Sequence, residues 1–218
     1  MKGPMVKLCG NKSLEDFQKS QASGAPYLGV IFAESKRQVL PEHLASWLEQ
    51  TPLNDDQSTV GVFVNPTMNE LDTTLHLVDI DIIQLHGRET VVEILHIKEQ
   101  FGLPVWKAIH HSDNAIEMMR LYQGVVDGFV VDANVKGAWG GSGKQFDWNA
   151  VPGYIEEGRR QGVPCFIAGG ITPKNVKQLN SYNPDGIDVS SGTETNGQKD
   201  GVKIEAIVRG KNHVSNIS

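Results

Sequence analysis

Apolar and β-prone residues gather in eight short runs, at 6–9, 27–32, 60–64, 80–85, 105–109, 128–132, 164–168 and 186–190. Their starts lie roughly 20–40 residues apart, the length of one strand–helix–strand step. Helix punctuation fills the gaps. Ser13-Leu14-Glu15-Asp16 would cap a helix running from Phe17 to Ser23, and Gly24 would end it. Pro41-Glu42-His43-Leu44 opens a second helix, with proline in its first turn. Asn65-Pro66-Thr67, Ser112-Asp113-Asn114 and Thr172-Pro173-Lys174-Asn175 read as further helix starts.

Strand runs alternating with helical segments predict a parallel sheet. Eight units in 218 residues fit a (β/α)8 TIM barrel of class α/β, a size that barrels reach as one domain. A doubly wound open sheet would use five or six strands and leave two over. No GxGxxG follows the first run either, which weakens a dinucleotide-binding reading. No stretch rich in Pro, Gly or Ser divides the chain, so one barrel domain is expected over 1–218, with a loose polar tail at 211–218 (KNHVSNIS).

Composition narrows the class. Hydrophobic residues make up 39% and charged residues 21%, which fits a soluble globular protein. No apolar run reaches the ~20 residues of a membrane helix, and MKGPMVKLCG lacks a signal-peptide core, so a cytoplasmic protein with no membrane partner is expected. The net charge of −6 and the absence of a basic stripe argue against a nucleic-acid partner. An anionic small molecule would need local backbone N–H groups and a few cations instead. The two cysteines, Cys9 and Cys165, sit far apart in strand-like runs and read as free thiols. No CxxC or clustered Cys/His spacing suggests a metal site.

In a barrel the chemistry sits at the C-terminal ends of the strands. The runs end in Cys9-Gly10, in Ser35-Lys36-Arg37, in Asn65, in Gln84-Leu85-His86-Gly87, near Lys107 with His110 and His111, in Asp132, in Gly169-Gly170 and in Ser190-Ser191-Gly192. The last two fit a phosphate site, which barrels often build after strands seven and eight. Glycine there lets backbone N–H groups approach an anion. Gly140-Gly141-Ser142-Gly143 is a third glycine-rich loop, and 135–144 could close over a ligand. Cys9 and Asp132 make a plausible base and acid, provided each pKa moves toward neutrality. Lys7 lies two residues before Cys9 on the same side of its strand, where a cation would depress the thiol pKa.

The strings VKLCGN (6–11), QLHG (84–87), VVDANVKGAWGGSGKQFDW (130–148), AGGITPKNV (168–176) and DVSSGTETNGQKD (188–200) together resemble the phosphoribosylanthranilate isomerase family of tryptophan biosynthesis. The ETNGQKD ending and the chain length are similar to fungal-type members. The likeness runs in family order from Val6 to about Arg209. It implies a (β/α)8 barrel that needs no cofactor or metal and acts on a phosphorylated small molecule as a monomer or homodimer. It also implies an Amadori rearrangement with Cys9 as base and Asp132 as acid. Arg37 would bind the anthranilate carboxylate. Gly141, Gly143, Gly169, Gly170, Ser191 and Gly192 would hold the phosphate, and His86 and Asp188 would lie near the substrate. Three departures stand out. Asn11-Lys12-Ser13 stands where a hydroxyl residue is common soon after Cys-Gly, SSGTET (190–195) replaces the commoner SSGVE, and Glu34 places an acid near the expected anthranilate site.

Four other readings compete. An isomerase of histidine biosynthesis would carry Asp in place of Cys9 and a half-barrel repeat, and neither is found. A Schiff-base aldolase would use Lys107. A metal-dependent epimerase would need ligands among His86, His110 and His111. A decayed barrel could bind a phosphate ligand without turning it over.

Overall fold

The computed structural model describes residues 3–133 and 146–210. The eight runs become eight parallel strands: β1 (Met5–Leu8), β2 (Tyr27–Ile31), β3 (Ser58–Phe63), β4 (Ile82–Leu85), β5 (Val105–His110), β6 (Gly128–Asp132), β7 (Cys165–Ile167) and β8 (Gly186–Val189). They close in chain order, with β1 pairing to both β2 and β8. Around them lie α1 (Leu14–Ala22), α2 (Pro41–Gln50), α3 (Met68–Leu77), α4 (Val91–Phe101), α5 (Ala115–Leu121), α6 (Val151–Gln161), α7 (Val176–Asn180) and α8 (Gly201–Gly210). A short antiparallel hairpin, β9 (Glu194–Thr195) and β10 (Gln198–Lys199), follows β8. Among the described residues no helix is long and apolar enough to cross a membrane. The proposed tail at 211–218 and the glycine-rich stretch at 135–144 lie outside the described residues.

The helix starts follow local chemistry. Ser13 caps α1 by accepting from the Asp16 N–H, and Pro41 occupies the first turn of α2. Thr67 and Glu70 form a reciprocal capping box at α3. Thr90 and Glu93 repeat it at α4, a T-x-x-E pattern that the sequence reading passed over. The run at 80–85 starts before its strand does. Asp81 belongs to the preceding turn, where its carboxylate accepts from the Thr59 N–H and hydroxyl and ties β4 to β3.

Alternation along each strand sends one set of side chains outward to the helices and the other into the barrel. The outer set, including Val6, Leu8, Ile83, Leu85, Phe129 and Ile187, forms the main core with the helices. Inside, Val60, Ile82, Trp106, Val130 and Phe166 make a separate apolar cluster. Tyr27, Trp106 and Phe166 pack their rings at 4.7–5.6 Å and form its aromatic centre. Glycine at 128 and 186 makes the space: a Cβ at Gly128 would meet the Trp106 indole at 2.8 Å, and one at Gly186 would enter the Phe166 ring. One step further along the strands the interior turns polar, with Lys7, Gln84 and Asp188 buried there. The site opens onto that polar layer.

Candidate active site

One pocket at the C-terminal mouth of the barrel gathers Cys9, Arg37, His86, Asp132, Asp188 and the turns holding Gly169, Gly170, Ser191 and Gly192. These are the described residues singled out from the sequence. Gly141 and Gly143 lie outside the described residues.

Cys9 follows β1 directly and is buried. Its backbone N–H donates to the Val189 carbonyl at 2.9 Å, which fixes the residue against β8. Gly29 on β2 leaves room for the thiol, since a Cβ there would stand 2.9 Å from Sγ. Burial pushes the thiol above its usual range; Lys7 and, more weakly, Lys199 pull it down, while Asp188 pushes it up. The net shift is upward. The sequence placed Lys7 correctly beside Cys9, but burial outweighs its field, so the expected depression is not found. Lys7 is itself engaged: its Nζ donates to Asp188 Oδ2 at 3.0 Å across the β1–β8 register. Asn11 locks this corner. Its amide donates to the Leu8 and Gly29 carbonyls and its oxygen accepts from Ser20.

Asp132 ends β6. Burial is the main cause that raises its carboxyl to about 6; the Ala133 N–H, donating at 2.7 Å, opposes this, and the nearby Asp188 charge adds to it. This is the shift toward neutrality that an acid working near pH 7 requires. His86 Nε2 stands 3.6 Å from Asp132 Oδ2. Burial first, then the charges of His110, Lys107 and Lys7, lower the imidazole to about 3, so His86 is neutral.

Arg37 reaches the pocket from the loop after β2. Its guanidinium forms a side-on fork with Glu194: Nε donates to Oε1 and Nη2 to Oε2, both at 2.9 Å. Glu34, close in sequence, is exposed. The acid that faces Arg37 is Glu194, 157 positions away. Glu194 carries no signal in the sequence that would pair it with Arg37, although it follows Ser191-Gly192 closely.

The β7 and β8 turns meet through backbone. Gly169 and Gly170 have φ of 86° and 65°, the left-handed region that glycine enters freely. A Cβ at Gly192 would run into the Ile171 carbonyl, so the β7 and β8 turns approach each other only because no side chain stands there. Buried polar groups are normally paired. Here Gln84 Oε1, His86 Nε2, Asp188 Oδ1 and Ser190 Oγ are buried with no hydrogen-bond partner among the described residues. All four residues line this pocket. Gln84 and Ser190 therefore join the site, a result that strand-face alternation could have given for Gln84.

The geometry decides one of the competing readings. Trp106 and Ala108 face the barrel interior, so Lys107 between them faces the helix layer. Its Nζ pairs with Glu89 at 3.1 Å and donates to the Leu85, Gly87 and Ala108 carbonyls, so it is a structural cation and not a Schiff-base lysine. Among the described residues no group of three His, Cys, Asp or Glu side chains is placed to hold a metal ion.

The profile of the family described as N-(5'-phosphoribosyl)anthranilate (PRA) isomerase matches residues 6–210. A relative from Geobacillus thermodenitrificans named N-(5'-phosphoribosyl)anthranilate isomerase is 54% identical over 202 residues, covering 93% of this chain and 91% of the relative. One of the same name from Halalkalibacterium halodurans is 52% identical over 201 residues, covering 92% of each. The crystal structure of phosphoribosyl anthranilate isomerase from Thermotoga maritima superposes with a TM-score of 0.83 at 30% identity, covering 97% of this chain and all of that one. Another solved isomerase, in complex with reduced 1-(o-carboxyphenylamino)-1-deoxyribulose 5-phosphate, gives 0.80 at 28% identity with the same coverage. The closed eight-stranded barrel, the polar mouth and these likenesses agree: this chain belongs to the N-(5'-phosphoribosyl)anthranilate isomerase family.

Proposed function

We propose that the protein converts N-(5-phosphoribosyl)anthranilate to 1-(2-carboxyphenylamino)-1-deoxyribulose 5-phosphate in tryptophan biosynthesis, by general acid–base catalysis. One observation carries this reading: a buried thiol and a carboxyl raised to about 6 share a pocket with an arginine and two anion-accommodating turns.

The steps follow from those groups. Protonated Asp132 gives its proton to the ribose ring oxygen. The C1′–O bond breaks as the anilino nitrogen supplies its electron pair, leaving a protonated imine. The Cys9 thiolate then takes the C2′ proton, and the C2′–H electrons flow into the imine to give an enolamine. The enolamine loses its O2′ proton and gains one at C1′, which gives the ketose. The imine is the electron sink. Arg37 would pair with the anthranilate carboxylate through its planar fork. Gly169, Gly170, Ser191 and Gly192 would cradle the phosphate, with Gly141 and Gly143 as further contacts. His86 and Asp188 would face the ribose. As a neutral imidazole, His86 can accept or donate one hydrogen bond there without competing with Asp132 as an acid.

This reading carries with it a cytoplasmic enzyme acting as a monomer or homodimer on a phosphorylated small molecule, with no nucleic-acid partner. The Thermotoga maritima relative is described as dimeric.

The test is turnover of phosphoribosylanthranilate generated in place. Wild type turns over, and Cys9→Ala and Asp132→Asn each lose about 100-fold or more in kcat. Activity retained in either variant overturns that residue's role. An inactive wild type that still binds the reduced product replaces the isomerase with a binding protein.

A further inference from the structure

Outside the pocket lining, the hairpin in the string at 188–200 holds two charged residues that the acid–base steps do not use, the partly buried Glu194 and the buried Lys199. Glu194 opens β9 and Lys199 closes β10. The Glu194 side chain is 9% exposed and stands behind Arg37, outside the pocket lining. It takes only one side of the guanidinium, the edge formed by Nε and Nη2. A guanidinium has five N–H groups, so the Nη1 edge stays available, and it makes no hydrogen bond among the described residues.

Lys199 fixes the other end. Its Nζ donates to the carbonyls of Cys9 at 2.6 Å and Ser190 at 3.1 Å and to Thr193 Oγ1 at 2.9 Å, and it lies 3.7 Å from Glu194 Oε1. Its backbone N–H donates to Asp16 on α1. The hairpin is thereby tied to the ends of β1 and β8 and to α1. Charge matters as much as position. Left alone, Glu194 would cancel the positive field of Arg37 and repel an incoming carboxylate. Lys199, Arg37 and Lys12 all act on Glu194 and hold it ionised despite its burial. With Lys199 balancing Glu194, the charge of Arg37 remains for a ligand.

We propose that Glu194 is a specificity-determining positioning residue. It clamps one edge of Arg37 so that the opposite edge is presented, rigid and still cationic, to a carboxylate on the substrate's aromatic ring. The inference rests on the assignment of Arg37 to that carboxylate. A side chain as long as arginine loses much rotamer freedom on binding, and the fork with Glu194 removes most of that loss beforehand.

The test compares two probes by calorimetry. One is reduced 1-(o-carboxyphenylamino)-1-deoxyribulose 5-phosphate; the other is the same compound without the ring carboxylate. Glu194→Gln should weaken the first about tenfold and leave the second within about twofold. Glu194→Asp keeps the charge but shortens the reach, and should fall between wild type and Glu194→Gln. In an Arg37→Met background, adding Glu194→Gln should cost nothing further. Equal loss of both probes overturns the inference and makes Glu194 merely structural. Tighter binding of the carboxylated probe also overturns it, because Glu194 would then be competing for Arg37. Arg37→Met binding that probe as wild type does would remove the Arg37 assignment itself, and the inference with it. Selective loss in Arg37→Met without any in Glu194→Gln would overturn the inference alone.

Discussion

The two walls of the pocket surround their titrating groups differently. On the β1–β8 wall burial raises the Cys9 pKa, and charges crowd in against and with it: Lys7 and Lys199 pull it down and Asp188 pushes it up. On the β4–β6 wall burial is again the largest influence on Asp132, which stands beside a neutral imidazole, with the Ala133 N–H opposing it and weaker contributions from Asp188 and Lys7. Burial favours the neutral form of both groups. For an acid that must hold a proton this is preparation, whereas for a base that must lose one it is an obstacle. The cations are accordingly concentrated on the base wall, and even there burial prevails. The form that the proposed mechanism needs, with Asp132 protonated and Cys9 a thiolate, is therefore a minority at every pH. Its share rises with pH up to about 6, stays level, and falls once pH passes the Cys9 value. On the proposed assignment the limb near pH 6 thus reports Asp132 as the acid, and the alkaline limb reports Cys9 as the base.

Substitutions that separate the walls sharpen this contrast. Lys7 touches both, since its charge lowers Cys9 and Asp132 alike. Lys7→Met should move both limbs of the kcat/KM profile upward, the alkaline limb much further because Lys7 weighs more on Cys9 than on Asp132, and that excess should cost on the order of 100-fold near pH 7. Movement of one limb only would show that Lys7 serves a single wall. Lys199 acts on Cys9 and is not among the causes acting on Asp132. Lys199→Met should raise the alkaline limb, leave the limb near 6 in place, and cost roughly tenfold. Behind the acid wall, Lys107→Met would leave Glu89 buried without its cation and should lower unfolding stability by about 3 kcal/mol in denaturant titration. Unchanged stability would make the pair dispensable. The smallest effect belongs to His86: its imidazole NMR signals should not titrate between pH 8 and about 4, because burial holds its pKa near 3. A midpoint near the usual 6.5 would place a cation beside Asp132 and erase the difference between the walls.

The eight strands were legible because each buried strand is an almost unbroken apolar run, and their ends fell within two residues of the structure. That precision was enough to put Cys9 and Asp132 at the mouth. What escaped were relations that only barrel closure creates. Glu34 looked like the acid near Arg37 because it is three residues away, yet the loop turns it to solvent, and closure of β8 against β1 brings Glu194 there instead. Lys107 looked like a candidate nucleophile until alternation placed it outside the barrel, and Lys199 carried no sequence signal for its grip on the Cys9 carbonyl. The Cys9 shift was misjudged for a similar reason: a neighbouring lysine can be read from the sequence, but the depth of burial that outweighs it cannot.

The most direct measurement is the pH dependence of kcat/KM for wild type and Asp132→Asn from pH 5 to 10. Wild type should give a plateau bounded below by a limb near pH 6 and above by one beyond the usual thiol range. In Asp132→Asn the limb near 6 should vanish, and the residual rate should climb steadily until Cys9 is ionised. A limb near 6 that survives in Asp132→Asn, or a wild-type alkaline limb near 6, would contradict the division of labour between the two walls.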